Sequence, residues 1–199
     1  MEWRLISPEV PVREEAAMVA DFFDRALDYY HYRKDDFELK VFARFLEQLP
    51  ECFHSRIFVH LHEIPEETFE YIGYHLKGQM CASDVSDFIE EEKSEGRKFS
   101  AGAHNGAELI AVKSWADAVL VSPVFPSISK VNYQAKDAVF FSSALEQVPH
   151  CTALGGIGKN QIRQIREMGF KSCALMGAVW KGDFDPLENF EQIKNQIHE

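Results

Sequence analysis

The chain has 199 residues, 46% apolar and 27% charged, and 21 basic against 32 acidic side chains leave a net charge of −11. That composition is ordinary for a water-soluble globular protein, and its acidic balance argues against broad binding of nucleic acid or anionic membrane. No apolar run approaches the roughly 18 residues of a membrane span, and "MEWRLISPEV" lacks the apolar core of a signal peptide.

A cytoplasmic protein is therefore expected. Cys52, Cys81, Cys151 and Cys173 are scattered without a C-x-x-C pair, which predicts reduced thiols, with Cys151 and Cys173 buried in apolar runs.

The first apolar run, Trp3–Ser7, has the length of a strand. "VREEAAMVADFFDRAL" follows and sets Ala16, Val19, Phe22, Phe23 and Ala26 on one helical face. A strand over Asp28–Tyr32 precedes "FELKVFARFLEQL", whose inward face is read as Phe37, Val41, Phe45 and Leu49. Strands over Arg56–Leu61 and Tyr74–Lys77 flank a short predicted helix, Glu66–Ile72. "VSDFIEEEKSEG" is helical and stops at Gly96, ahead of strands over Phe99–Ala103 and Ala118–Ser122. Cys151–Leu154 and Ser172–Met176 are strands around the helix "NQIRQIREMG", which ends on Gly169. "DPLENFEQIKNQI" closes the pattern, with Asp185 as N-cap and Pro186 at the first helical position.

Eight strands alternating with eight helical segments require a parallel sheet, because each crossover helix returns the chain to the same end. The expected fold is an α/β protein, a (β/α)8 TIM barrel formed as one domain over residues 1–199. An open doubly wound sheet fits less well, since no G-x-G-x-x-G follows the first strand.

Reactive groups of such barrels gather at the C-terminal strand ends. Those ends carry His31 and Arg33, His60 and His62, His75 and Lys77, His104 and Asn105, then Ser127, Ser129 and Lys130. Four successive ends bear histidine although the chain has only eight. His104 is the candidate general acid/base, with Asn105 as a polar neighbour. His60 and His62 share a strand face, but no carboxylate accompanies them in a ligand spacing, so no metal is expected. His54, His150 and His198 lie away from this rim. "LGGIG", with Gly155 and Gly156 before a helix, and Gly177 after the last strand form a candidate phosphate cradle. The ligand so implied is a small phosphorylated molecule. A homo-oligomer is compatible with the sequence, which does not fix its state.

The order of these motifs resembles the thiamine phosphate synthase/TenI family over nearly the whole chain. "SPVFPSISK" is similar to that family's G-P-x-F-x-T-x-T-K loop, with Ser127 and Ser129 for the threonines and Lys130 for the lysine. "ALGGI" resembles A-x-G-G-I, and "GFKSCALMGAVW" the G-A-x-G-V-A-x-x-S-A-I that follows. "YHYRK", "GYHLKGQ" and "FSAGAHNGAEL" are similar to V-Q-x-R-x-K, G-V-H-x-G-Q and the G-x-S-x-H segment.

The resemblance implies a TIM barrel that acts on thiazole phosphate in thiamine biosynthesis. Synthase members join it to a pyrimidine pyrophosphate with Mg²⁺; TenI-type members shift a proton on the thiazole carboxylate with a histidine at the place of His104. In this chain His60 and Leu61 replace the N-D of the synthase pattern, and its second metal-binding Asp falls near Met80, with Asp84 a few residues on. The glutamine before Arg33 is His31, and the following lysine falls on Asp35 with Lys34 beside it. Mg²⁺ needs hard oxygen ligands. The expected activity is therefore a TenI-like thiazole tautomerase. It would need no cofactor and use His104 for catalysis. His31, Arg33, His60, Ser127, Ser129 and Lys130 would bind substrate, and Gly155, Gly156 and Gly177 phosphate. The alternatives are a thiamine phosphate synthase, a transferase needing Mg²⁺, and a non-catalytic thiazole or thiamine phosphate-binding regulator.

Overall fold

The computed structural model describes residues 1–65, 68–70, 72–77, 82–126, 138–148 and 150–196, without the side chains of 82–84 and 138. Eight parallel strands close into a barrel in chain order. They are β1 (Glu2–Ile6), β2 (Tyr29–Tyr32), β3 (Ile57–Leu61), β4 (Gly73–Leu76), β5 (Phe99–Ala103), β6 (Ala118–Val121), β7 (Cys151–Leu154) and β8 (Ser172–Leu175). β8 pairs back onto β1, with Arg4 opposite Ala174.

The helices are α1 (Glu15–Asp24), α2 (Leu39–Glu47), α3 (Ala82–Ser94), α4 (Gly106–Val112), α5 (Ala138–Gln147), α6 (Ile162–Glu167), α7 (Gly177–Trp180) and α8 (Pro186–Asn195). Strict one-to-one alternation does not hold. Residues 68–70 and 72 are not helical, the rest of the expected Glu66–Ile72 helix lying partly outside the described residues, and two helices follow β8. Phe69 spends its backbone groups on side chains: its N–H donates to Tyr74 Oη (3.2 Å) and its carbonyl accepts from Arg97 Nε (3.3 Å).

Two predicted helix faces shift. Ala26 is exposed with φ of 68° beyond the end of α1, and Leu27 takes the buried place. In α2 the inward side chains are Phe42, Phe45 and Leu46, continued by Leu49, while Val41 is 40% exposed. Steps of four drift around a helix by about 40° each, so a 37–41–45–49 stripe cannot stay on one side. The caps form as expected at Asp185, which accepts from the N–H groups of Leu187 and Glu188, and at Gly96 and Gly169, both with positive φ.

Alternation along the strands divides the sheet into an outer and an inner face. The outer face, with Leu5, Tyr30, Val59, Tyr74, Val119 and Cys173, belongs to the main apolar core. Burial pushes the Cys151 thiol up to about 12 and the Cys173 thiol up as well, as inert structural cysteines require. The inner face is unequal. Ile6, Leu120 and Ala174 form a small apolar cluster on the β1, β6 and β8 side. Arg4, His31, His60, His75 and Ser100 fill the β1 to β5 side, all buried.

One buried ion pair anchors the entry to the site. Lys34 Nζ donates to both Glu15 oxygens (2.7 and 3.0 Å) and to the Pro8 carbonyl, and Tyr30 Oη donates to Glu15 at 2.8 Å. Replacing Lys34 by Met leaves the Glu15 carboxylate buried and uncompensated. The expected cost is roughly 3–5 kcal/mol, read as a lower urea midpoint with an unchanged slope.

Candidate functional site

A cavity of about 420 Å³ opens at the C-terminal end of the barrel. His60, His75, His104, Arg33, Lys77 and Glu108 line its polar side, and Ile6, Leu120 and Leu154 its apolar side. A larger cavity of about 520 Å³ sits at the opposite, N-terminal end around Arg56, Arg97 and Lys98. Those cations are already engaged: Arg56 with the Leu27 and Asp28 carbonyls, Arg97 with Glu92, and Lys98 with Tyr29 Oη. The chemistry of a barrel lies at the other end, so the smaller cavity is the candidate site.

Strand register builds its floor. His60 pairs directly with His75 across β3 and β4, and their rings stack at 4.0 Å between centroids, 21° apart. His31 pairs with Phe58 across β2 and β3 and stacks on it at 4.9 Å, 8° apart. His31 is fully buried beneath the cavity instead of lining it. Its Nδ1 lies 3.1 Å from His60 Nε2, and its Nε2 lies 3.3 Å from Arg4 Nη1. His75 Nδ1 meets Ser100 Oγ at 2.9 Å.

Burial is the main force on all three imidazoles. It holds His31 well below the ordinary histidine range, with the Arg4 charge adding to it. It does the same to His60, assisted by His75. His75 is held at about 3, again by burial first and the Arg4 and Arg33 charges second.

One nitrogen from each of these three histidines lies within 4.8 Å of the others, close enough to suggest a metal. The ring geometry opposes it. Imidazole lone pairs lie in the ring plane, so the stacked rings of His60 and His75 aim alongside each other and not at a common point. Arg4, which only donates hydrogen bonds, also occupies the outer nitrogen of His31. Among the described residues the Mg²⁺ implied by the resemblance is not accommodated either, the side chain of Asp84 lying outside them. Leu61, at the place of a carboxylate ligand, is 3% exposed in the outer core, and Met80 lies outside the described residues.

His104 sits at the end of β5 with its side chain 48% exposed, and its Nδ1 lies 2.9 Å from Glu108 Oε2. The same oxygen accepts the His104 backbone N–H at 2.8 Å. Asn105 caps α4 by accepting the Glu108 N–H and donates to Glu108 Oε1 at 2.7 Å. The Glu108 carboxyl is lowered: burial works to raise it but is outweighed by the backbone and ring bonds of His104 and by Asn105. Glu108 was missed in the sequence, although "NGAE" is a reciprocal capping pattern that places a carboxylate beside the residue before the cap.

Arg33 reaches the cavity and pairs with Glu9 at 3.3 Å. Lys34, next to it, points away into the Glu15 pair and takes no place in the cavity. Lys77 donates to His62 Nδ1 at 2.9 Å. Ser127, Ser129 and Lys130 lie outside the described residues, as do Cys81 and His198. His54 and His150 make bonds to backbone carbonyls away from the cavity, at Leu46 and Leu49 and at Ala116.

Gly155, Gly156 and Gly177 lie beyond the ends of β7 and β8 and do not line the cavity. Close packing explains two of them. Gly155 and Gly156 have φ of 98° and 65°, and a Cβ on them would meet Pro123 Cα at 2.9 Å and Pro126 O at 2.5 Å. The start of the β6–α5 loop is laid on this turn, with Val124 N–H donating to Leu154 O and Phe125 N–H to Gly155 O.

The model of the family described as "thiamine monophosphate synthase" matches residues 12–179. The chain belongs to that family. Curated protein sequences return no match. Among solved structures the family member resembles thiamine phosphate pyrophosphorylase from Bacteroides thetaiotaomicron, at 23% identity and a TM-score of 0.74 over 100% of this chain and 98% of that one. The Pyrococcus furiosus thiamine phosphate pyrophosphorylase gives 16% identity and 0.74, over 99% and 95%. The 3-hexulose-6-phosphate synthase from Salmonella typhimurium gives 12% and 0.67, over 100% and 99%. At these identities the likeness is one of fold.

Histidines held neutral by burial couple stability to pH. Their folded pKa values are depressed, so their contribution is intact above about pH 6.5 and lost as the pH falls toward the folded values, about 3 for His75. Each histidine that stays neutral should remove up to about 1.4 kcal/mol per pH unit below that point. Urea melts at pH 7.5 and 5.5 should show the loss, and a His75→Asn chain a shallower one.

Proposed function

We propose that this family member is a thiazole phosphate isomerase, moving a proton on a bound thiazole carboxylate with His104. The observation that carries the reading is the His104–Glu108 pair on the cavity wall, in a site whose described residues place Leu61 where Mg²⁺ would need a carboxylate. Glu108 accepts the Nδ1–H of His104 and leaves Nε2 as the nitrogen that takes a proton and returns it. The carboxylate balances the ring's charge while it holds the extra proton. Arg33 and Lys77 supply positive charge for the substrate's anionic groups, the phosphate among them.

The pyrophosphorylase names of the structural neighbours and the family model support a second reading, a thiamine phosphate synthase. That chemistry must neutralise a leaving pyrophosphate, for which metal ions ordinarily supply much of the charge. Two assays separate the readings. Thiazole phosphate with pyrimidine pyrophosphate and Mg²⁺ is followed for pyrophosphate release, and the thiazole carboxylate tautomer in D₂O is followed by NMR. Isomerisation with deuterium uptake and no pyrophosphate is the expected result; robust pyrophosphate release overturns it. His104→Ala should lower kcat by about 10²–10⁴-fold with little change in KM, and unchanged turnover would remove His104 from the reaction.

A further inference from the structure

Beneath the cavity floor runs a chain of hydrogen-bonding groups whose polarity is fixed from one end. Arg4 is 4% exposed and stays protonated in any protein environment. Glu2 Oε1 accepts from its Nε (3.1 Å) and Nη2 (2.8 Å), while Tyr29 and Phe58 lie within cation–π distance at 4.4 and 5.3 Å. Its Nη1 faces His31 Nε2 at 3.3 Å. A guanidinium has donors and no acceptor, so His31 Nε2 must accept. The single proton of the neutral His31 ring then sits on Nδ1, 3.1 Å from His60 Nε2. His60 Nε2 accepts in turn, and the proton of neutral His60 is left on Nδ1.

His60 lines the cavity, and its Nδ1 has no bonding partner among the described residues. We propose that Arg4 and His31 are positioning residues that lock His60 as the Nδ1–H tautomer, so that the cavity floor presents a fixed donor to a carboxylate of the ligand. Three donors in series polarise one another, and the guanidinium at the head of the series strengthens the last of them toward an anion. Arg33 and Lys77 on the same cavity favour the same class of ligand, a small anion. Neutral His60 is thereby a donor to the substrate, and proton transfer is left to His104. The carboxylate part of this inference rests on the thiazole carboxylate reading above; the tautomer part does not.

The experiment is ¹⁵N NMR of histidine-labelled protein at neutral pH, with and without thiazole-2-carboxylate, and with thiazole itself as the uncharged probe. Expected is a His60 with Nδ1 protonated and Nε2 bare, its Nδ1–H signal moved by the carboxylate and not by thiazole. His31→Phe keeps a ring against Phe58 but breaks the series. It should give mixed His60 tautomers and weaken binding of the carboxylate about twofold for a one-to-one mixture, because only the competent tautomer binds. His31→Gln carries a carbonyl for Arg4 and an N–H for His60, and should restore both tautomer and affinity. Should His31→Phe fail to fold, Arg4→Gln removes the obligate donor and should mix the tautomers as well. A His60 found as the Nε2–H form, or a tautomer indifferent to these changes, overturns the proposal. So does a carboxylate that moves the Nδ1–H signal no more than thiazole does. None of these readouts needs turnover, so a chain that fails the isomerase assay but shows the locked tautomer refutes only the isomerase reading.

Discussion

A guanidinium inside a β-barrel is a constraint that the rest of the interior has to meet. Arg4 cannot shed its charge, so each group around it must accept a hydrogen bond or offer a π face. Glu2 does the first, and itself accepts from Ser172, which Thr152 donates to in turn. Tyr29 and Phe58 do the second. The charge also disfavours a second cation nearby, which adds to burial in keeping His31 and His75 neutral. An interior of neutral, mutually bonded histidines is what a permanently charged neighbour and a dry environment select.

The same constraint orders the site above it. The barrel interior is polar along β1 to β5 and apolar where Ile6, Leu120 and Ala174 meet. On this base His104 is set apart. It is half-exposed, belongs to the rim, and has its own carboxylate in Glu108. Three histidines held neutral by burial thus lie along or beneath the cavity whose rim carries the half-exposed His104.

Much of the barrel was legible in the sequence, because apolar runs of strand length alternate with segments of helical period and end in caps with specific chemistry. Phe99–Ala103 and Cys151–Leu154 have the predicted ends, and Asp185 caps its helix as its side chain requires. The errors are equally physical. The face of α2 was read from a spacing of four, which drifts around the helix, where Phe42, Phe45, Leu46 and Leu49 keep the true period. The helix expected after β3 competes with the side-chain bonds of Tyr74 and Arg97 to Phe69, which no local pattern reveals. In the site, the histidines could be placed at strand ends by alternation, but not their depth. That His31 lies under the cavity, and that Lys34 turns into a pair with Glu15, depends on contacts between elements far apart in the chain. Gly155 and Gly156 suggested a phosphate cradle, whereas their positive φ and the chain laid across them account for both residues already.

The unequal walls of the cavity carry a stereochemical consequence. A flat ring seated between them would have His60, His75 and His104 on one side and Ile6, Leu120 and Leu154, with Ser122, on the other. Hydrocarbon can neither deliver nor remove a proton, and a serine hydroxyl without an adjacent base carries one poorly. Exchange at a ring carbon held there would take place from a single face, and a carbon made tetrahedral in the process would be formed with one handedness.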